Sequence, residues 1–152
     1  MNQPILELHK KYIKGTERKA MVPDITVFLC YLTNAVKNAL QVSTIATYIN
    51  TKVLKHLYDK RPAQEYEFLV ENIHRIIKYP DSIYKNREGK RGSFCFTKKL
   101  KNEKYFCSLE ETSLLETKDK TGILVVTAFR IEEKYIEKYE LLWSWRDDKS
   151  SS

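Results

Sequence analysis

Three segments in the second half of the chain carry the hydrophobic pattern of a β-sheet. Residues 93–98 and 104–109 alternate aromatic with small or polar side chains, and the polar residues 99–103 connect them. This pattern predicts a β-hairpin. Residues 123–129 are continuously apolar and rich in β-branched side chains. They are therefore expected to form a middle strand whose two faces are both covered.

Apolar residues recur at helical spacing in several other segments. Gly15 is expected to close the first of these helices, and Pro80 to end the fourth. Asn50 or Thr51 is expected to cap the third. Residues 42–49 are ambiguous, but their Val, Ile, Thr and Tyr content favours a short strand. The predicted helices span residues 4–14, 25–40, 52–58, 63–78 and 132–145.

These elements predict an α+β fold with several helices packed on a small antiparallel β-sheet. A chain of 152 residues suits a single domain with its own core. We divide it into a helical N-terminal part (1–43), a central core (44–130), a C-terminal helix (131–146) and a tail (147–152). The predicted core side chains are Phe68, Leu69, Ile73, Ile76, Ile77, Leu124 and Val126.

Positive charge is concentrated on the hairpin and its approach. Eight Lys or Arg residues but only two Glu residues lie from Lys85 to Lys104, a local balance of +6 in a chain of net charge +7. Such a patch favours a phosphate-rich partner. The sequence shows neither a signal peptide nor an apolar stretch of membrane-spanning length, so a cytoplasmic protein without a membrane partner is expected.

Few residues suggest a metal or another cofactor, and we expect none. The three cysteines form no Cys-x-x-Cys pair and are expected to be free thiols in a reducing compartment. The acidic residues occur as adjacent pairs, whose side chains point in different directions and are more typical of a solvated surface than of a magnesium site.

Of the three histidines, His56 has the most suggestive neighbours. Lys55, Lys60 and Arg61 flank it near a predicted helix end. Cations favour anion binding there, and an imidazole can exchange protons at cellular pH. The alternative is a solvated helix terminus whose cations favour the helix dipole. His9 is expected on the surface, far from the basic stretch, and His74 at the edge of an apolar stripe in a structural role.

An ordered series of short segments between Thr44 and Arg130 resembles a known family. The segments are Lys55-His56, Arg61-Pro62 before an amphipathic helix, Tyr79-Pro80-Asp81-Ser82-Ile83, Lys90-Arg91-Gly92-Ser93-Phe94 and Val125-Val126-Thr127-Ala128-Phe129. Their order resembles the barnase–EndoU–colicin–RelE-like nucleases, in the branch attached to phage structural proteins. The resemblance implies metal-independent ribonucleases of toxin or effector type, with helices packed on an antiparallel sheet.

The resemblance also implies roles for particular residues. Metal-free RNA cleavage uses the neighbouring 2′-hydroxyl as nucleophile and needs a base, an acid and fixed positive charge around the phosphorus. His56 can serve as base or acid, and Arg61 and Lys98 can hold the phosphate. Thr127, on the strand face of Ile123, Val125 and Phe129, can donate to a phosphate oxygen or simply favour a strand. The expected RNA-binding residues are Lys55, Lys60, Tyr84, Lys85, Arg87, Lys90 and Arg91.

Two of these expectations have alternatives. Tyr84 either stacks on a base or is an ordinary half-buried aromatic. Arg61 stands where relatives often have a second histidine, and a chain that needs this histidine would bind RNA without cutting it. A non-catalytic RNA-binding module is therefore the second function considered. A third is a protein-interaction domain that uses the aromatic C-terminal helix. The expected partners are RNA and, for a toxin, an inhibitor or immunity protein.

Overall fold

A computed structural model describes residues 3–86, 93–113 and 121–146. The helices are α1 (Gln3–Leu8), α2 (Asn34–Leu40), α3 (Thr51–Lys60) and α4 (Ala63–Lys78), with a π-helix at His9–Ile13 and a 3-10 helix at Glu133–Ile136. The strands are β1 (Thr26–Tyr31), β2 (Ala46–Asn50), β3 (Ser82–Lys85), β4 (Phe94–Leu100), β5 (Glu103–Ser113), β6 (Thr121–Ile131) and β7 (Glu140–Ser144). Among the helices in these ranges, none combines the length and apolar character needed to span a membrane.

All seven strands belong to one mixed sheet, in the order β1-β2-β6-β5-β4-β3-β7. Neighbouring strands are antiparallel except β2 and β6, which are parallel. The α+β class is therefore confirmed, but the sheet is larger than the small antiparallel sheet predicted. α2 contacts β7, although α2 follows the strand at the other end of the order. α2 thus reaches the end of the sheet opposite to β1.

The helix predicted over residues 25–40 is wrong in its first half. Thr26–Tyr31 forms edge strand β1, paired with β2, and only Asn34–Leu40 is helical. Thr33 separates the two elements, because its side chain accepts a hydrogen bond from the Val36 amide at 3.3 Å and caps α2. The apolar positions fitted a helical period, but β-branched and aromatic residues dominate this segment and favour a strand.

The C-terminal helix predicted over residues 131–146 is also wrong. Glu133–Ile136 is a short 3-10 helix, and Glu140–Ser144 is strand β7, which pairs with β3. Strand pairing provides partners for backbone groups that an isolated helix would satisfy internally, so tertiary context overrides the helical spacing. A protein-interaction surface built on that helix has no structural basis.

Several local predictions are confirmed. α4 spans residues 63–78 as predicted, and Asn50 caps α3 by accepting a hydrogen bond from the Val53 amide at 2.9 Å. β4 and β5 form the predicted hairpin. Its two turn residues, Lys101 and Asn102, have φ of 49° and 67°, as expected of a two-residue turn that matches the twist of the strands.

The main core lies between the helices and one face of the sheet. Leu69, Ile73, Ile76 and Ile77 are buried there as predicted, whereas Phe68 is half-buried and stacks on Tyr105 with 4.8 Å between ring centroids. The prediction for β6 is wrong in phase. The side chains of β6 in this core are Ile123, Val125 and Ala128, while Leu124 and Val126 are half-buried on the outer face. Ile131 is buried in a second cluster, on the outer face.

A β-bulge in β6 changes the face of the sheet on which Thr127 lies. Ser108 pairs with Thr127, but its neighbour Leu109 pairs with Val125, so Val126 is an extra residue in β6. Directly paired residues share a face of the sheet. The bulge therefore shifts Thr127 out of phase with Val125, and the prediction that both lie on one face is wrong.

Candidate active site

The junction between α3 and α4 directs one arginine toward the sheet. Arg61 ends α3 with extended backbone angles (φ −94°, ψ 149°), because a residue that precedes proline is disfavoured in the helical region. β2 pairs with the early part of β6, at Ile123 and Leu124, and the chain then continues from β2 into α3. The later part of β6 thus faces the α3–α4 junction along its edge.

Arg61 is held at this edge by four contacts. Its Nε donates to the Ala128 carbonyl oxygen at 3.0 Å, and its Nη2 donates to Thr127 Oγ1 at 3.1 Å. Glu65 Oε2 lies 3.8 Å from Nε, and the guanidinium carbon lies 5.1 Å from the centre of the Phe129 ring. The fold therefore brings together two of the predicted site residues, Arg61 and Thr127. Burial lowers the pKa of Arg61 and Glu65 opposes this, but a guanidinium remains charged.

Arg61 forms part of the wall of a cleft of about 440 Å³ between the N-terminal segment and the α3–α4 junction. Imidazole, phenol, guanidinium and ammonium groups all line it, together with one carboxylate. The lining residues are His9, Lys14, Tyr58, Arg61, Ala63, Tyr66 and Glu67. We call this cavity the arginine cleft.

His9 and two tyrosines form a connected cluster in the arginine cleft. His9 Nδ1 lies 2.8 Å from the Tyr66 hydroxyl, and the Tyr58 hydroxyl accepts a hydrogen bond from the Gly15 amide at 3.1 Å. The ring centroids of Tyr58 and Tyr66 are 5.2 Å apart. Burial and the neighbouring Tyr58 raise the pKa of Tyr66, so this phenol stays protonated. The expectation that His9 is a surface residue is wrong, because it is half-buried in this cluster.

His56 lies near Arg61 but does not line the cleft. Its side chain is exposed on α3. Partial burial lowers the pKa of His56, and the positive charges of Arg61 and Lys60 lower it further, while Asp59 opposes them. His56 is therefore within electrostatic reach of Arg61 and is held toward the neutral form.

Comparison with known protein families identifies the family of this chain. The family model described as phage-Barnase-EndoU-ColicinE5/D-RelE like nuclease3 matches residues 30–138, well over half of the chain. The chain belongs to this nuclease family. Searches of the curated proteins and of the solved structures each found no match. Membership implies a nucleic-acid substrate for the nuclease, and the matched span includes Arg61 and Thr127 but not His9.

Lys55 is not placed to bind nucleic acid in this nuclease. Its side chain is only 6% exposed, and its Nζ donates to Asp59 Oδ1 at 2.7 Å and to the Glu17 carbonyl oxygen at 2.6 Å. Asp59 Oδ2 also accepts from the Lys19 amide at 3.0 Å. Burial alone would raise the pKa of Asp59, but its hydrogen bonds to Lys55 and Lys19 lower it. This Lys55–Asp59 clamp fastens the N-terminal segment to α3, so the RNA-binding role expected of Lys55 is corrected to a structural one.

The fold does not bring Lys98 to Arg61. Lys98 Nζ donates to the Tyr79 carbonyl oxygen at 2.6 Å and lies 3.6 Å from Asp81 Oδ1, just beyond the C-terminal end of α4. Arg61 precedes the N-terminal end of that helix, whose 16 residues rise by about 24 Å. Lys98 thus fastens the end of α4 to β4 and is left out of the candidate site.

The remaining predicted nucleic-acid contacts that the structure describes lie on α3 and β3. Lys60 and Lys85 are exposed. Tyr84 is half-buried and packs against the cluster on the outer face that contains Cys95 and Phe106. Arg87, Lys90 and Arg91 lie outside the described residues.

The cysteines of the nuclease are buried, and its carboxylates form no metal site in the described part of the chain. Cys30, Cys95 and Cys107 are free and buried, and burial raises the pKa of Cys95 to about 12. Within the ranges that the structure describes, no three His, Cys, Asp or Glu side chains lie close enough together to hold a metal ion.

Proposed function

We propose that this nuclease is a metal-independent endoribonuclease of toxin or effector type. The observation that carries the proposal is the anchored Arg61 at the wall of a cleft that also contains an imidazole, two phenols and an ammonium group. Imidazole and guanidinium groups are sufficient for RNA cleavage by the neighbouring 2′-hydroxyl, in which a proton is removed and another is supplied.

Arg61 is suited to bind the scissile phosphate. A planar guanidinium presents several N–H donors in a fixed fork that matches phosphate oxygens. Ala128 and Thr127 accept two of these donors, and the remaining N–H groups of Arg61 can donate to a substrate. Because its position is set before substrate binds, little rotamer entropy is lost on binding, and its charge is in place as negative charge develops on the phosphorane.

Thr127 has a double role in this proposal. Its Oγ1 accepts a hydrogen bond from Arg61 and so fixes the guanidinium. A hydroxyl that accepts can also donate, so the Thr127 O–H can bind a phosphate oxygen. The exposed Lys60 and Lys85 are proposed RNA contacts, as are Tyr84, Arg87, Lys90 and Arg91.

His56 is the proposed proton-transfer residue on α3. In the reaction the 2′-oxygen loses its proton and bonds to phosphorus, the bond from phosphorus to the 5′-oxygen breaks, and that oxygen gains a proton. The products are a 2′,3′-cyclic phosphate and a 5′-hydroxyl. The proposed setting is the cytoplasm, with an inhibitor or immunity protein that restrains the enzyme in the cell that makes it.

The test is incubation of the purified protein with total RNA in the presence of EDTA, followed by analysis of the product ends. We expect cleavage that leaves cyclic phosphates, and a loss of about 10²–10⁴-fold in rate for His56→Gln with RNA affinity retained. His74→Gln serves as the matched control, since His74 lies on α4 outside the arginine cleft.

Three results would contradict the proposal. Cleavage that stops in EDTA would indicate a metal enzyme. Tight RNA binding without cleavage would support the non-catalytic RNA-binding module. A weak affinity that disappears at moderate salt would leave only a general electrostatic attraction to phosphates and would point to a protein partner.

A further inference from the structure

The arginine cleft contains a histidine that the family match does not cover. His9 begins the π-helix at the N-terminus, and the matched span starts at residue 30. His9 is half-buried, lines the same cleft as Arg61 and contacts a tyrosine through Nδ1. π-helical turns are rare and often occur at functional sites.

We propose that His9 is the general base of this nuclease, and that Tyr66 is a positioning residue that orients the imidazole of His9. The inference rests on the proposed function, because it assigns a step of RNA transesterification. It adds the N-terminal segment to the active site and assigns the acid role to His56.

Tyr66 sets which nitrogen of His9 reacts. When the Tyr66 hydroxyl accepts the Nδ1 proton of His9, the lone pair of Nε2 is the one that can take a proton from substrate. After proton transfer the imidazolium keeps its Nδ1–H bond to Tyr66, so the charged product of the step is stabilised by the same contact. A buried, protonated phenol is a neutral partner and does not raise the basicity of His9 as a carboxylate would.

The reaction then balances with two histidines. His9 Nε2 takes the 2′-hydroxyl proton as the 2′-oxygen bonds to phosphorus. The bond from phosphorus to the 5′-oxygen breaks, and His56, whose protonated form is favoured by the negative charge of bound RNA, supplies the proton to that oxygen. Arg61 binds the non-bridging phosphate oxygens throughout, and no oxidant, reductant or metal is consumed.

The charges that face His9 favour the neutral imidazole. Lys10 and Lys14 lie on its own segment and Arg61 on the α3–α4 junction, while α3 contributes Tyr58 and α4 contributes Tyr66 and Glu67. Burial lowers the pKa of His9, and Lys14 and Lys10 lower it further, with Glu67 opposing them. His9 is therefore unprotonated at neutral pH, and its activity as a base is lost as the pH falls through its pKa.

The kinetic test compares His9→Gln, Tyr66→Phe and the control His74→Gln in RNA cleavage from acid to neutral pH. We expect His9→Gln to lower the rate by about 10²–10⁴-fold and to flatten the acid limb of the pH profile. Tyr66→Phe should shift that limb and cost less than His9→Gln. His74→Gln should leave both rate and profile unchanged. A wild-type rate and profile in folded His9→Gln would overturn the inference.

A second measurement does not depend on cleavage. We would titrate the wild-type protein with nucleoside 3′-monophosphates and follow the His9 ring protons by NMR at several pH values. Bound phosphate near His9 should raise its pKa, and Arg61→Ala should abolish the shift. A His9 resonance unmoved by saturating nucleotide would overturn the inference even if wild-type protein cleaves RNA. Absence of cleavage by wild-type protein would refute both the proposed function and the base role.

Discussion

Removal of the Asp59 carboxylate should destabilise this nuclease by about 3 kcal/mol. In the Lys55–Asp59 clamp the two side chains are only 6% and 11% exposed, and their charged atoms are 2.7 Å apart. Loss of one partner from a buried ion pair typically costs about 3–5 kcal/mol, because the other charge is left buried without compensation. Lys55 keeps its bond to the Glu17 carbonyl oxygen in Asp59→Ala, so we take the lower end of this range.

The assay is chemical and thermal unfolding at neutral pH. For a chain of this size, about 3 kcal/mol corresponds to a decrease in Tm of roughly 6–12 °C. Asp24→Ala is the matched control. The Lys52–Asp24 pair is 3.6 Å apart with side chains 66% and 59% exposed. An exposed pair of this kind contributes less than about 1 kcal/mol.

A double variant distinguishes the net contribution of the ion pair from the cost of leaving one buried charge unpaired. Lys55→Met with Asp59→Leu removes both charges and retains apolar volume, so it should regain most of the stability lost in Asp59→Ala. In this double variant, the exposed Lys19 amide, which donates a hydrogen bond to Asp59 in the wild type, can donate to water instead. The reasoning fails if Asp59→Ala costs no more than Asp24→Ala, or if the double variant is less stable than Asp59→Ala.

The effect also has a defined pH dependence. The pKa of Asp59 is lower in the folded state than in the unfolded chain, where an aspartate titrates near about 3.9. Its stabilising contribution is therefore fully present above that unfolded pKa and is lost as the pH falls through the folded pKa. The difference in unfolding free energy between wild type and Asp59→Ala should shrink across this acid range and stay constant above it.

Two further substitutions distinguish a residue of the candidate active site from a residue that stabilises the end of α4. Arg61→Lys keeps a positive charge but loses the planar fork of the guanidinium, so we expect the rate of cleavage to fall by at least about tenfold. If both Arg61→Lys and Arg61→Ala retain cleavage, the role of Arg61 is contradicted. Lys98→Ala should cost about 1–2 kcal/mol, because the Tyr79 carbonyl loses a charged donor, and it should leave the rate of cleavage unchanged at a temperature where the variant is folded. A loss of cleavage in folded Lys98→Ala would return this residue to the site.

The local parts of the fold were predictable because local signals determine them. The bounds of α4 follow from Pro62, Pro80 and a strong apolar stripe, and the hairpin of β4 and β5 follows from alternation around a polar turn. β1 and β7 were missed because their apolar spacing also suits a helix, and only pairing with β2 and β3 decides the outcome. The phase of β6 was missed because a continuously apolar strand does not show which alternate side chains face the core, and the face of Thr127 was missed because a bulge is invisible to a period of two.

The sequence by itself determined that the chain is an α+β protein of a nuclease family, with Arg61 directed away from α3 by the proline that follows it. Only the tertiary structure decided which charged groups meet. Arg61 and Thr127 are 66 residues apart, and His9 and Tyr66 are 57 apart. Spacing along a chain identifies residues that share an element. Whether a cation faces solvent, as Lys60 does, or is held by a carboxylate, as Lys55 is, depends on the segments that pack beside it.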